Sequence, residues 1–273
     1  MWLTHIKEQY IQNELKTKQI AQYKNDISDV KVLNSANTKN ILILNDDILF
    51  TQKDWSIQSE MLAHIPLCSH PSPENILLIG YDTKVIEHIL KHKDAKNITV
   101  LDVDQNISKA INEHFLDKDI NDTRVKVINT DMQDFLADKD ENLYDIILLN
   151  IMPSYIKNKE IIYSDISKML KDDGIFISKF MPWQEDELAQ KDILKNIGEY
   201  FKILMPYYFS MTMQSYCMGS FLFAGNKFHP TADIILHKSD LLDDNAYYTG
   251  DIHKASFCVP NSIDKTYRNF VKK

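Results

Sequence analysis

The sequence predicts an α/β protein in which a small N-terminal antiparallel β unit precedes a parallel, doubly wound sheet. From residue 75 onward, short runs of consecutive apolar residues alternate with segments whose apolar residues recur at helical spacing. Continuous apolar strands separated by amphipathic helices are typical of a sheet that helices cover on both faces. Earlier in the chain, DVKVLNS and NILILNDDILF flank a turn-rich stretch, which indicates a short antiparallel unit.

The predicted elements follow in a regular order. Residues 1–55 hold the β unit, and residues 56–273 hold the sheet domain, which opens with a helix in SIQSEMLAHIPLCSH. Two β segments, FKILM and GSFLFAG, come late in this domain, and residues 231–273 are predicted to form a mainly helical tail. The buried strands that alternate with helices are ILLIG (76–80), ITVLDV (98–103), VKVI (125–128), YDIILLN (144–150) and GIFISKF (174–180).

Composition excludes several classes of function. Thirty-one Lys and Arg against 39 Asp and Glu give the 273-residue chain a net charge of -8, and a nucleic-acid-binding protein would show a clustered basic excess. No apolar run approaches the ~18 residues of a membrane span. The start of the chain has no apolar stretch of signal-peptide length, so we expect a cytoplasmic protein without nucleic-acid or membrane partners.

The glycines, cysteines and histidines argue against phosphate-binding loops and metal sites. The chain has six glycines, none close enough to another to form a Walker loop or a G-x-G-x-x-G loop. Three separated cysteines argue against structural zinc and disulfides. His88 and His92 could share a metal at i, i+4, but a solvated basic turn at the helix end is the favoured interpretation, and no metal is expected.

Acidic residues at the predicted strand ends indicate a nucleoside site, because ligands of such sheets bind beyond the carboxyl ends of the strands. Asp102 follows Gly80 at about the 20-residue spacing at which an acidic residue binds ribose hydroxyls. Its alternative role is helix capping, for which Asp104 is better placed as an N-cap. Gly80 permits close backbone approach at the first strand end, although Tyr81 stands where a nucleotide loop has its next glycine.

The third strand end supplies a candidate for the base. Asp131 could accept a hydrogen bond from an adenine amino group, with the backbone at Met132 framing the ring. The alternative is a turn residue that holds the local backbone through an Asx hydrogen bond. The ends of the first four strands carry no Lys or Arg, so they suit adenosine without a phosphate, as in S-adenosylmethionine and its relatives.

Several segments together resemble the polyamine aminopropyltransferases, the spermidine synthase family. They are EMLAHIPLCSHPSPENILLIG (60–80), ITVLDVDQNI, YDIILLN, KMLKDDGIFIS and YYTGDIHKASFCVP. The first and last segments are specific to that family, whereas the others would fit any methyltransferase-like sheet. The resemblance implies a Rossmann-like, methyltransferase-type sheet with a small N-terminal antiparallel β unit. It also implies a homodimer or larger homo-oligomer.

The resemblance implies a reaction and its site residues. Putrescine attacks the aminopropyl carbon of decarboxylated S-adenosylmethionine, a co-substrate, and gives spermidine and methylthioadenosine without another cofactor. Asp102 matches the family's ribose-binding acid and Asp131 its adenine contact. Asp82 matches the loop Asp that faces the aminopropyl group, and Tyr247 and Tyr248 match paired tyrosines near the amine pocket.

The amine side departs from the family pattern. Asn150 stands at the position of the catalytic Asp, and Pro153 or a deletion stands at that of the second Asp, an amine ligand. Gln58 replaces the amine-binding Tyr, with Ser59 in place of the neighbouring His. A neutral amide is not a base, but Asn150 could accept a hydrogen bond from the attacking amine.

The sequence therefore leaves the base and the function partly open. Asp82 and Tyr248 are candidate substitutes for the missing base, and water is another. Spermidine synthase is the leading hypothesis, with another amine in place of putrescine also open. The alternatives are a methyltransferase that uses intact S-adenosylmethionine and a nucleoside-binding protein that has lost its catalysis.

Overall fold

A computed structural model describes residues 2–7, 10–116, 120–137, 141–211 and 217–273, with side chains from residue 16 onward. The strands are β1 (Trp2–Lys7), β2 (Tyr10–Lys16), β3 (Lys18–Lys24), β4 (Asp29–Ser35), β5 (Lys39–Leu44), β6 (Asp47–Thr51), β7 (Asn75–Ile79), β8 (Asn97–Asp102), β9 (Val125–Asn129), β10 (Tyr144–Leu149), β11 (Leu170–Lys179), β12 (Ile203–Ser210) and β13 (Met218–Gly225). The helices are α1 (Trp55–Leu67), α2 (Thr83–Leu90), α3 (Gln105–His114), α4 (Met132–Ala137), α5 (Lys159–Met169), α6 (Glu187–Gly198), α7 (Leu236–Asp240), α8 (Gly250–Ala255) and α9 (Asn261–Tyr267), and a 3-10 turn covers Pro153–Tyr155.

The N-terminal strands form two antiparallel sheets. β1 pairs with β2, and β3 to β6 form a four-stranded sheet in sequence order. Alternate residues of this sheet, such as Val30, Val32 and Leu42, are buried against α3, where they meet Ile111 and Phe115. The prediction of a small antiparallel unit is confirmed, and its core is shared with a helix that comes later in the chain.

The main sheet has seven strands in the order β12-β13-β11-β10-β7-β8-β9. All neighbouring pairs from β11 to β9 are parallel. The predicted doubly wound sheet is confirmed, and β13 is the strand that departs from the parallel pattern, since it runs antiparallel to both β11 and β12. The connection from Ser210 to Met218 is shorter than the dozen or so residues that a crossover between parallel strands needs.

Helices cover both faces of this sheet, as predicted. On β7, Ile76 and Leu78 face α1, α2 and the C-terminal tail, while Leu77 and Ile79 face α4, α5 and α6. All six residues of β10 are buried. Such strands lack the polar alternation of a half-exposed sheet because neither face meets water.

The histidines at the end of α2 are not in a solvated turn, and that prediction is wrong. The side chains of His88 and His92 are buried because α1 packs on α2. His64 of α1 lies between them, with its Nδ1 atom 2.9 Å from Nε2 of His92. In the described part of the chain, no three His, Cys, Asp or Glu side chains are grouped so that they could hold a metal ion.

A search of the helices in the described ranges for membrane spans found none that is both long enough and apolar enough to cross a bilayer.

Candidate functional site

A cavity of about 580 Å³ lies at the carboxyl ends of β7, β8, β9 and β10. Its volume is in the range of small-molecule sites. β8 and β9 extend the sheet to one side of β7, and β10 and β11 extend it to the other. The cavity therefore lies where the strand order reverses, which is the usual ligand position in a doubly wound sheet.

Gly80 and Asn150 form the floor of the cavity at this reversal. Asn150 N donates to Ile79 O at 2.8 Å, and Gly80 N donates to Leu101 O at 2.9 Å, so the strand ends lie side by side. Gly80 has a φ of +97°, and a Cβ atom there would lie 3.1 Å from Asn150 O. Only glycine combines this left-handed conformation with so close an approach of two backbones.

Asp82 has one structural and one site-facing oxygen. It caps α2, because its Oδ1 atom accepts from Val85 N at 3.1 Å, and the same atom accepts from Trp55 Nε1 at 3.0 Å. Its Oδ2 atom lies 3.4 Å from the Asn150 amide nitrogen, which donates to it. Burial raises the pKa of the Asp82 carboxyl, and the bonds from Trp55 and Val85 oppose that rise. The carboxylate is thus fixed beside Asn150.

The prediction that Asp104 caps α3 is confirmed, and the role of Asp102 at the ribose stays a prediction. Asp104 caps α3 by accepting from Asn106 N at 3.0 Å. Asp102 accepts from Asp104 N at 3.3 Å, lines the cavity and is 5% exposed. Burial raises the pKa of the Asp102 carboxyl. Because Asp104 is the cap, Asp102 is placed to meet a ligand, and two hydroxyls of a diol suit its carboxylate.

Asp131 has the turn role considered for it, and its role as an adenine contact stays a prediction. Its Oδ1 atom accepts from Gln133 N at 2.7 Å and from Asp134 N at 3.4 Å, which is the local turn bond that the sequence left as an alternative. Asp131 and Met132 also line the cavity. The Oδ2 atom takes no part in those two bonds, so the turn fixes a carboxylate whose second oxygen can accept from a ligand.

Lys179, at the end of β11, is a site residue that the sequence analysis missed. Its side chain lines the cavity and the residue is 7% exposed. Burial lowers the pKa of its ammonium group to about 8, and the negative charge of Asp82 opposes the shift. The signal was the lysine that follows the apolar run GIFIS.

The N-terminal sheet and α1 complete the walls. Gln58 of α1 lines the cavity and is 6% exposed, in agreement with its predicted place, whereas Ser59 is fully buried and does not line it. Ile27, Leu49 and Phe50 of the N-terminal unit also line the cavity. Nothing in the sequence of this unit indicated that it would line the cavity.

Tyr247 and Tyr248 do not line the cavity with the other predicted residues. The Tyr247 hydroxyl accepts from Ser210 N at 3.2 Å. The Tyr248 hydroxyl is 2.8 Å from Nδ1 of His253, and burial raises its pKa. The predicted role of these tyrosines at an amine pocket stays a prediction, and the geometry gives it no support.

Comparison with known proteins agrees with this architecture. The family model described as the spermine/spermidine synthase domain matches residues 56–233. The polyamine aminopropyltransferase of Bacillus subtilis (strain 168) is 33% identical over 234 residues, covering 82% of this chain and 83% of that protein. That of Methanocaldococcus jannaschii is 27% identical over 288 residues, covering 100% of this chain and 96% of that protein.

Solved structures show the same fold. A spermidine synthase crystallised with the transition-state analogue AdoDATO has a TM-score of 0.91 at 23% identity, covering 98% of this chain and 95% of that chain. The spermidine synthase of Thermotoga maritima has a TM-score of 0.86 at 24% identity, covering 94% of this chain and 90% of that chain. The domain model matches more than half of the chain, and the relatives compared above are polyamine aminopropyltransferases. The chain therefore belongs to the spermine/spermidine synthase family.

Proposed function

We propose that the chain transfers the aminopropyl group of decarboxylated S-adenosylmethionine to putrescine, giving spermidine and methylthioadenosine. The observation that carries the proposal is the convergence of acidic strand ends on one cavity at the reversal of the strand order. Family membership supports the same chemistry. Both substrates are cationic, and the acidic cavity suits them.

The nucleoside half of the substrate fits the β8 and β9 side of the cavity. The Asp102 carboxylate would accept hydrogen bonds from the two ribose hydroxyls, and Asp131 would accept one from the adenine amino group. Met132 and Ile107 add apolar surface for the ring. The glycine at position 80 lets the ligand approach the end of β7.

The reacting half fits the β7 and β10 side, at Asp82, Asn150 and Gln58. Asn150 donates its amide N–H to Asp82, and its Oδ1 atom is buried with no hydrogen-bond partner among the described residues. A buried, unsatisfied acceptor costs free energy, and an N–H of the attacking amine would satisfy it. Asn150 would thus orient the amine toward the aminopropyl carbon. An amide does not take up the amine's proton, so a separate proton acceptor is required.

The reaction is tested by incubating purified protein with decarboxylated S-adenosylmethionine and a panel of amines that includes putrescine, with products identified by mass spectrometry. A parallel reaction contains intact S-adenosylmethionine. Methylthioadenosine in equal amount to an aminopropylated amine is the expected result. A methylated product with the intact compound, or methylthioadenosine binding without any turnover, would contradict the proposal. The second outcome would favour a nucleoside-binding protein without catalysis. This alternative is considered because Asn150 stands at the position of the family's catalytic Asp.

The nucleoside assignment has its own test in methylthioadenosine affinity. Asp102→Ala removes charge-assisted bonds worth ~1.5–3 kcal/mol, so we expect affinity to fall by ~10- to 100-fold. Asp134→Ala is the matched control, because Asp134 is exposed on α4 and does not line the cavity. Equal affinities of the two variants in calorimetry would remove Asp102 from the site.

A further inference from the structure

Lys179 lies at the level of the sheet where the proposed reaction takes place. In the sheet register, Leu149 of β10 pairs with Ile79 of β7 on one side and with Ser178 of β11 on the other. The next residue along each strand is Gly80, Asn150 or Lys179, so these three lie in one row. Lys179 therefore lies at the same end of the cavity as Asn150 and Asp82, away from β8 and β9, where the adenine is proposed to bind.

The charged and titratable groups that share the cavity with Lys179 lie on several elements. Asp82 is the group whose charge acts on the ammonium, and it lies at the β7–α2 junction. Tyr155 and Lys157 follow β10. Within the part of the chain that the structure describes, no carboxylate comes within the 4.0 Å of an ion pair with Lys179. The remaining titratable groups of the lining are Tyr81 after β7, Asp26 of the N-terminal unit, and Asp102, Asp104 and Asp131 at the proposed nucleoside strand ends.

We propose that Lys179 is the proton acceptor for the attacking amine, the role that the amide of Asn150 does not fill. The inference rests on the aminopropyl transfer proposed above. The neutral Nζ atom takes one proton from the ammonium of the acceptor. The freed lone pair forms the new C–N bond at the aminopropyl carbon, the C–S bond breaks, and its electron pair neutralises the sulfonium as methylthioadenosine. The product nitrogen keeps a positive charge, and Lys179 then releases its proton to water.

The electrostatics suit this role. Burial holds the pKa of Lys179 at about 8, so a useful fraction of the side chain is neutral near neutral pH. A base whose pKa is close to the working pH is more effective than an ordinary carboxylate at removing a proton from an alkylammonium. After transfer, the ammonium of Lys179 faces the Asp82 carboxylate, which Trp55, Val85 and Asn150 hold in place.

The direct test is the pH dependence of kcat at saturating substrates for the wild type, Lys179→Gln and Lys179→Arg. We expect the wild-type kcat to rise with pH and to level near pH 8. In Lys179→Gln the rise should continue toward the pKa of the amine itself, about 10 for an alkylamine. The loss should therefore be ~100-fold at pH 7 and should shrink by pH 10. Lys179→Arg should be inactive throughout, because a guanidinium does not lose its proton in proteins.

Lys126→Gln is the matched control, since Lys126 is exposed on β9 and does not line the cavity. We expect this variant to keep the wild-type profile. An unmoved profile in Lys179→Gln would overturn the inference while leaving the aminopropyl transfer intact. A preference of the wild type for ornithine over putrescine, lost in Lys179→Gln with the profile unmoved, would also overturn it, since the lysine would then be a cation that binds a carboxylate.

A second measurement is independent of turnover. Competitive labelling of the free protein with acetic anhydride, followed by mass spectrometry, gives the midpoint of Lys179 reactivity against pH. A midpoint near 8 supports the inference, and one at the ordinary lysine value of about 10.4 overturns it even in an active enzyme. If the wild type forms no aminopropylated amine at any pH, the proposed function itself fails, and the product assay alone reveals that.

Discussion

Replacing Asn150 by Asp would restore the acid of the family pattern, but the structure predicts a cost that depends on pH. The Asn150 amide nitrogen now donates to Asp82 Oδ2 at 3.4 Å. In Asn150→Asp, this hydrogen bond becomes a contact between two carboxylates at the same separation. Two unit charges at 3.4 Å repel by about 5 kcal/mol at an effective dielectric constant of 20.

Protonation limits that cost. Asp82 is fully buried and its pKa is already raised, so the pair will retain one shared proton. A carboxyl whose pKa is raised on folding stabilises the protein fully below its unfolded value, near 3.9, and loses that contribution as pH rises through the folded value. We therefore expect Asn150→Asp to lose ~2–4 kcal/mol of unfolding free energy at pH 8.5 and less than ~1 kcal/mol at pH 5.

Urea unfolding at the two pH values measures this difference, with Asn150→Ala as the control that removes the hydrogen bond without adding charge. The Ala variant should lose a similar amount at both pH values. A loss in Asn150→Asp that is the same at pH 5 and pH 8.5 would refute the reasoning, because it would mean that the two carboxyls do not interact. If Lys179 is the base, the Asp variant should also gain little in kcat.

Three further changes have expected results. Gly80→Ala should cost ~2–4 kcal/mol of unfolding free energy in urea and abolish methylthioadenosine binding. The new methyl group would collide with the backbone at the end of β10, and alanine disfavours the left-handed conformation of residue 80. Retained stability would contradict this. Glu60→Ala should cost ~3–5 kcal/mol of unfolding free energy by the same assay, because the buried Glu60 carboxylate accepts three backbone N–H bonds of 2.8 Å from residues 246–248. A small loss would mean that other contacts hold the C-terminal tail. His92→Gln should flatten the pH dependence of stability: burial lowers the folded pKa of His92 to about 4, so its contribution is present above pH 6.5 and falls by about 2 kcal/mol by pH 5. An equally steep acid loss in that variant would contradict the assignment.

The meeting of the strand-end residues was predictable from the sequence because topology decides it. Residues that follow parallel strands meet at one edge of the sheet, so Gly80, Asp102, Asp131 and Asn150 were expected together before any contact was known. Their shared cavity confirms that reasoning.

The remaining errors concern neighbours that are distant in sequence. The helical spacing of His88 and His92 predicts a shared face but not the helix α1 that covers it, and burial follows from that covering. The place of Lys179 was not predicted, because a lysine at the end of an apolar strand ordinarily marks the point where the strand reaches solvent. Only the cavity beside β11 shows that this lysine is buried in the site.

The sharing of one core between the N-terminal sheet and α3 has a consequence for synthesis of the chain. β6 ends at Thr51, but Ile111 and Phe115, which cover its sheet, emerge from the ribosome some 60 residues later. At a synthesis rate of 5–20 residues per second, the apolar face of that sheet stays exposed for roughly 3 to 13 seconds before α3 is made. During that interval Val30, Val32 and Leu42 are open to chaperones and to other nascent chains. A slow codon cluster between β6 and α3 would lengthen the exposure and lower the soluble yield.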